Sequence, residues 1–332
     1  MRKSTFVLIA AIVSIGGYFF LQNFSLEGLE NVKVTPRETT GTENGAGTTA
    51  VSTNAPPVVR SGKTIRIAAF NIQVFGRSKI SKPIVLDVLA RIIRHFDVIA
   101  IQEVRAKDQD ILPLFVEAIN NGGRQYDYAI GPRLGRSASK EQYAFIFDRA
   151  SVEVDRQQLY TIDDPDDLMH HEPLVGWFRV RGPAANQGFT FSLVNIHTDP
   201  DEVADEINVL DDVMRVVRDD GRNEDDVILL GDLNADDRHF GELGRVPQIA
   251  WAISGVPTNT RGTKQYDNLV FYANATREFM GRTGVFDFMR EYNMTIDEAL
   301  EVSDHLPVWA EFSIYEGGEI GRVATRPTDT TR

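Results

Sequence analysis

From about Lys63 onward the chain alternates short apolar runs with amphipathic stretches. TIRIAAFNI (64–72) and DVIAIQEV (97–104) have the length and β-branched content of buried strands, and KPIVLDVLARIIRHF between them repeats its apolar positions at helical spacing. DILPLFVEAIN follows as a second amphipathic segment. A strand-rich middle comes next (YAFIFD, SVEVDRQQLYTI, GWFRVRG, FTFSLVNIH), then a helix over about 202–217 and the strands DVILLGDLN, YDNLVFY and VWAEFSI. Strands and helices interleaved in this way predict a layered α/β domain over residues 63–314.

The flanks read differently. FVLIAAIVSIGGYFFL (6–21) follows Arg2 and Lys3 and is slightly short of the roughly 20 residues that span a bilayer. Residues 1–24 are therefore expected to be a signal anchor or a signal peptide. Bulky YFFLQNF, where a small-x-small cleavage site would stand, favours the anchor. Positive residues ahead of the run predict that the remainder is exported, either membrane-anchored or secreted. Residues 25–62, a Thr, Gly, Asn and Pro mixture without periodicity, read as a flexible linker, and 315–332 as a loose C-terminal tail.

Composition narrows the chemistry. The 332 residues include no cysteine, which excludes disulfides, thiolate metal sites and a cysteine nucleophile. A formal net charge of -13 argues against loose, sequence-independent nucleic-acid binding, so any such contact needs a local basic patch or metal ions. Several apolar runs end in a residue capable of chemistry: Asn71, Glu103, His197, Asp232 and Asn234. Ligands gather at the carboxyl ends of strands, so these five are expected to converge. Asp304 and His305 precede their strand and reach the same edge if it runs antiparallel to a neighbour. Taken singly, an Asp at a strand end is a turn residue and a lone His a structural group. Together, the carboxylates and amides supply hard oxygen ligands for Mg²⁺, Mn²⁺ or Ca²⁺, and the histidines move protons near neutral pH. Metal and general base acting on water describe phosphodiester hydrolysis.

FNIQVFG, IQEV, KEQYAFIF, NIH, GDLNAD, YDNLVF and SDHLPV, in that order, resemble the endonuclease/exonuclease/phosphatase superfamily. GRSASKEQYAF and HTDPDEVADEINVLDDV are similar to its deoxyribonuclease I branch in particular. The resemblance implies a DNase I-like α/β (α+β) four-layered sandwich, two mixed β-sheets packed face to face with helices outside. It implies catalytic histidines at His197 and His305, oriented by Glu141 and Asp267 respectively. Glu103 matches the principal metal ligand, with Asn71 and Asp304 beside it. Asp232 and Asn234 match the residues that hold the scissile phosphate, Asp232 also serving a second metal position. The implied cofactor is Mg²⁺ or Mn²⁺ and the implied substrate DNA, acted on by a monomer. Structural Ca²⁺ is a further expectation, near DDPDD (163–167) and the Thr258–Thr260 turn, with a solvated acidic loop as the competing reading of the first.

Arg105 sits where the family places an arginine in the DNA minor groove, and Lys107, Arg133, Arg136 and Lys140 complete a candidate basic patch. Gln73, Ser139 and His171 depart from the family's arginine, tyrosine and arginine, which predicts a weaker grip on duplex DNA. Asp237 and Lys264 occupy the positions of a family disulfide, and an opposite-charge pair is expected in its place. The competing functions are a sphingomyelinase or inositol-phosphate phosphatase of the same superfamily, and an inactive membrane-held binding module.

Overall fold

In the computed structural model the structure describes residues 62–136 and 140–318. The N-terminal apolar run, the linker up to Ser61, Ser139 and residues 319–332 lie outside the described residues. Among the described residues no helix is long and apolar enough to cross a membrane.

Among the described residues, twelve strands form two six-stranded sheets. The first sheet contains β1 (Thr64–Phe75), β2 (Val98–Val104), β3 (Tyr126–Ile130), β4 (Gln142–Asp148), β11 (Phe279–Val285) and β12 (Val308–Ser313), in the order β11-β12-β1-β2-β4-β3. The second contains β5 (Val152–Thr161), β6 (Leu174–Val180), β7 (Thr190–His197), β8 (Val227–Asp232), β9 (Ile249–Trp251) and β10 (Asp267–Tyr272), in the order β5-β6-β7-β8-β10-β9. The helices are α1 (Arg77–Ile80), α2 (Pro83–Ile93), α3 (Ile111–Asn120), α4 (Val203–Arg218), α5 (Phe288–Glu291) and α6 (Ile296–Val302).

Three apolar layers explain why the central strands are apolar on both faces. Along β1, Ile65, Ile67 and Ala69 point between the sheets, while Ala68, Phe70 and Ile72 pack with α2 and α3 on the outer side. Along β8, Ile228 and Leu230 face the first sheet, while Val227 and Leu229 pack with Leu210, Val213 and Met214 of α4. Strand periodicity of two divides each run between two cores. The result is the expected sequence of helix, sheet, sheet and helix layers.

Pairing direction decides where the polar strand ends fall. β1 and β2 are parallel, as are β7 and β8, each joined through a crossover helix. Their carboxyl ends carry Asn71, Glu103, His197 and Asp232 to one edge. β4, β10 and β12 run antiparallel to these neighbours and bring their amino ends, with Glu141, Asp267 and His305, to that same edge. Buried side chains tie the two sheets together beneath it: Gln102 Nε2 donates to Asn195 Oδ1 at 2.6 Å, and Asn195 Nδ2 donates to the Ile101 and Ala144 carbonyls at 3.2 and 3.1 Å.

The chain past β12 is held rather than loose as far as Gly318. Gly188 bridges Tyr315, and the Glu316 and Gly317 amides donate to Gln187 O and Glu278 Oε1.

Candidate active site

Two histidine–carboxylate pairs face each other across the edge. His197 Nδ1 lies 3.0 Å from Glu141 Oε1, and His305 Nδ1 lies 2.9 Å from Asp267 Oδ2. The opposite ring nitrogens converge on one atom: Asp232 Oδ2 is 3.5 Å from His197 Nε2 and 3.4 Å from His305 Nε2. All five side chains are buried. Burial opposes the charged imidazole, but Glu141, then Asp232 and Glu103, more than offset it and raise His197 to about 9. Burial likewise opposes charge on His305, while Asp267, Asp232 and Asp304 raise it to about 10. In return, despite burial, the two imidazoles hold the Asp232 carboxyl below its usual range.

The supports for each pair come from distant parts of the chain. Tyr143 OH accepts from the His197 backbone N–H at 3.0 Å and donates to its carbonyl at 3.2 Å. Thr258 Oγ1 donates to Asp267 Oδ2 at 2.7 Å and accepts from the Tyr266 and Asp267 amides. Ser303 Oγ donates to Asn71 O at 2.7 Å and accepts from the His305 amide at 3.0 Å, linking the β1 end to the approach of β12.

Glu103 is aimed by local strain. It has φ +61°, at an irregularity in the β2–β4 ladder, and Gln73, Val74 and Asn234 also have positive φ (+52°, +50° and +47°). Non-glycine residues with this backbone cluster at functional sites when the surroundings hold them. Val74 N–H donates to Glu103 Oε2 at 2.7 Å, and Asn71 Nδ2 donates to both Glu103 Oε1 at 3.2 Å and Asp232 Oδ2 at 3.0 Å. Asn71 Oδ1 meanwhile accepts from Gln73 N–H at 2.8 Å. Asn71 therefore bridges the two carboxylates through Nδ2 while its Oδ1 takes the Gln73 amide. Asp304, with its side chain 46% exposed, lies 3.9 Å from His305 Nε2 and is open to a ligand. Asn234 N–H donates to Asp232 Oδ1 at 3.0 Å, and its amide to Thr198 O at 2.8 Å.

Carboxylates such as Glu103 and Asp304 are the donor chemistry that Mg²⁺ takes. A tighter group of metal-ligating atoms, Asp232, Asp267 and His305, shares only Asp232 with the expected metal set. Its Asp267 Oδ2 is already occupied by His305 Nδ1 and Thr258.

The three arginines of the candidate basic patch are engaged by the protein's own acids and carbonyls. Arg105 Nε lies 3.1 Å from Glu103 Oε2, and its terminal nitrogen 3.6 Å from Glu141 Oε2. Arg133 donates to the Arg105, Ala106 and Lys140 carbonyls, and Arg136 pairs with Asp167 and Glu202. Lys107 and Lys140 are not buried. His171 packs its ring parallel to His197 with centroids 6.2 Å apart, and burial lowers it to about 4. Of the expected calcium positions, the Thr258 hydroxyl is saturated by the bonds above, and Thr260 Oγ1 donates to Ser303 O. In the DDPDD loop Asp164 takes the Met169 amide and Asp167 takes Arg136. Asp237 and Lys264 form no ion pair among the described residues; Asp237 accepts instead from Ser254 Oγ and the Gly255 amide. The expected charge pair in place of a disulfide is absent.

The sequence reading missed Lys79. Its ammonium donates to the Ile72, Gln73 and Val302 carbonyls at 2.6, 2.6 and 2.8 Å, binding the strained turn after Asn71 to the helix that delivers Asp304. Burial lowers it to about 8 despite Asp304 and Glu103 nearby. No local signal marks it; a lysine in a four-residue helix reads as solvated.

The conserved-domain model described as the Endonuclease/Exonuclease/phosphatase family matches residues 68–305. The chain belongs to this family. Deoxyribonuclease-1-like 1 of Sus scrofa is 35% identical over 263 residues, covering 76% of this chain and 82% of that protein. Deoxyribonuclease gamma of Rattus norvegicus is 33% identical over 262 residues (74% and 83%). Among solved structures of the family fold, truncated TDP2 of Caenorhabditis elegans superposes with a TM-score of 0.52 at 17% identity, covering 76% of this chain and 98% of that one. Membership in the endonuclease/exonuclease/phosphatase family agrees with the two mixed sheets and with the edge on which the paired histidines meet.

Proposed function

We propose that the chain is a divalent-metal-dependent endonuclease that hydrolyses phosphodiester bonds of DNA. The observation that carries this reading is the pair of imidazoles, each backed by a carboxylate at Nδ1 and turned by Nε2 toward the single oxygen Asp232 Oδ2. A carboxylate at Nδ1 holds the ring in the tautomer that exchanges protons at Nε2. Once the coupled pair has given up one of its two protons, the neutral imidazole accepts the proton of the attacking water as its oxygen bonds to phosphorus, and the other, protonated, delivers a proton to the leaving oxygen as that P–O bond breaks. Asn234 and Asp232 flank the phosphate. Glu103 and Asp304 would hold Mg²⁺ or Mn²⁺, which supplies positive charge to the phosphate oxygens. DNA as substrate is supported by the similarity to proteins named deoxyribonucleases. We further place the domain on the exported side of a membrane, tethered by residues 6–21, because Arg2 and Lys3 precede that run.

The test is nicking of supercoiled plasmid by the full-length chain in Mg²⁺ or Mn²⁺, beside EDTA and the His305→Ala variant. Nicking that needs the metal and disappears in the variant supports the reading. A folded chain that leaves plasmid intact but cleaves sphingomyelin or an inositol phosphate would replace it with a related phosphoesterase activity.

A further inference from the structure

A second group of carboxylates lies at the opposite end of β8 and β12 from the histidines. Asp226 immediately precedes β8, Glu278 immediately precedes β11, and Glu316 follows β12 by three residues. Each brings a carboxylate oxygen within 4.8 Å of the other two, and Glu224 approaches Asp226 as closely. Asp226 and Glu278 are only 2% and 1% exposed.

Such groups are normally paired with a cation, because water no longer screens their charge. Here the ionisable neighbours of Asp226 are three further carboxyls, Glu278, Glu224 and Glu316, and the Thr276 side chain is its hydrogen-bonding neighbour. Among the described residues no Lys, Arg or His forms an ion pair with any of the four. Backbone and indole groups satisfy part of the set. Gly317 N–H donates to Glu278 Oε1, Thr190 N–H to Glu316 Oε2 at 3.0 Å, and Trp177 Nε1–H to Glu224 Oε2 at 2.9 Å. Asp226 Oδ1 and Glu278 Oε2 remain, buried and without a hydrogen-bond partner in the protein.

We propose that Asp226, Glu278 and Glu316, with Glu224 beside them, form a Ca²⁺ site. Oxygens bound to one Ca²⁺ at about 2.3–2.6 Å lie within about 5 Å of one another, a limit these carboxylates already meet. Ca²⁺ accepts irregular sets of six to eight oxygens, whereas Mg²⁺ demands a near-ideal octahedron and retains its waters. The ion would join the start of β8 in one sheet to the start of β11 in the other, and pin the segment after β12 to both. The site is separate from the histidine edge and does not rest on the proposed reaction.

Thermal unfolding of the full-length Glu103→Gln chain, which disables the expected active-site metal position, isolates the effect. The midpoint is expected to rise by about 5–10 °C when free Ca²⁺ reaches a hundred times its dissociation constant. Adding Asp226→Asn and Glu278→Gln is expected to remove that rise, while the midpoint in EDTA stays at or above the parent's because like charges have been removed. Tb³⁺ gives a second readout that needs no carboxylate variant, since Trp177 contacts Glu224. Tryptophan-sensitised Tb³⁺ luminescence should appear, fall on adding Ca²⁺, and drop several-fold in Trp177→Phe. No midpoint rise in the parent, a rise that survives both carboxylate substitutions, or luminescence unchanged by Trp177→Phe would each overturn the site.

Discussion

Asp232 Oδ2 stands 3.5 Å from one imidazole and 3.4 Å from the other, so neither histidine titrates independently of the other pair. Both folded-state values, about 9 for His197 and about 10 for His305, lie above the ordinary histidine value of 6.5. A group raised in this way contributes stability that is fully present below its unfolded value and lost as pH rises through the folded one. Urea unfolding from pH 6 to 10 should therefore show stability declining across the alkaline half. In Asp267→Asn the decline should be shallower, because His305 loses its nearest anion. The same variant should lose about 10²–10⁴ in kcat if His305 exchanges a proton in the reaction. Wild-type turnover in Asp267→Asn would reduce this pair to a structural contact. At this scale Glu103, His197 and Asp232 were legible at the ends of apolar runs and Asp304 and His305 just ahead of one, whereas Glu141 and Asp267 were implied by the family resemblance alone. The bridge that Asn71 Nδ2 makes between Glu103 and Asp232 was not, because it depends on where β2 and β8 bring those carboxylates.

Gly231 shows what an element must provide to hold such a residue. Its φ is +148°, and a Cβ there would stand 1.9 Å from Ile196 O of β7, far inside contact distance. The parallel β7–β8 pair that aligns His197 with Asp232 thus approaches too closely for any side chain at this position. Gly231→Ala should cost about 3 kcal/mol or more through backbone strain and overlap, and lower the thermal midpoint by about 6–12 °C. An unchanged midpoint would mean that the strands separate freely. The long central strands and α2, α3 and α4 were visible in the sequence because their apolar periodicity is sustained. β3, β9 and β11 were not: they are edge strands, β3 and β9 are short, and β11 carries two glycines and no fully buried residue. α6 left a readable trace in TIDE, where Thr295 and Glu298 form a reciprocal cap.

Across the whole molecule, charge works against a tight hold on nucleic acid. The chain carries a net -13, and Arg105, Arg133 and Arg136 are each held by its own carboxylates or carbonyls. If only two or three cations are released to phosphate, the slope of log affinity against log salt should be about -2 to -3. Anisotropy of a labelled duplex with the His305→Ala variant between 50 and 200 mM salt measures it. A slope of -6 or steeper would show that these arginines leave their partners for DNA. Local pattern was enough to specify a layered α/β domain and the family to which it belongs, because strand and helix periodicity and ordered motifs are properties of neighbouring residues. The meeting of Glu141 with His197, 56 positions apart, and of Asp267 with His305, 38 apart, depended on strand direction. The same is true of the Asp226, Glu278 and Glu316 cluster and of the engagement of the arginines. Those contacts are set by which strands pair and in which register, a competition among cores that no single segment contains.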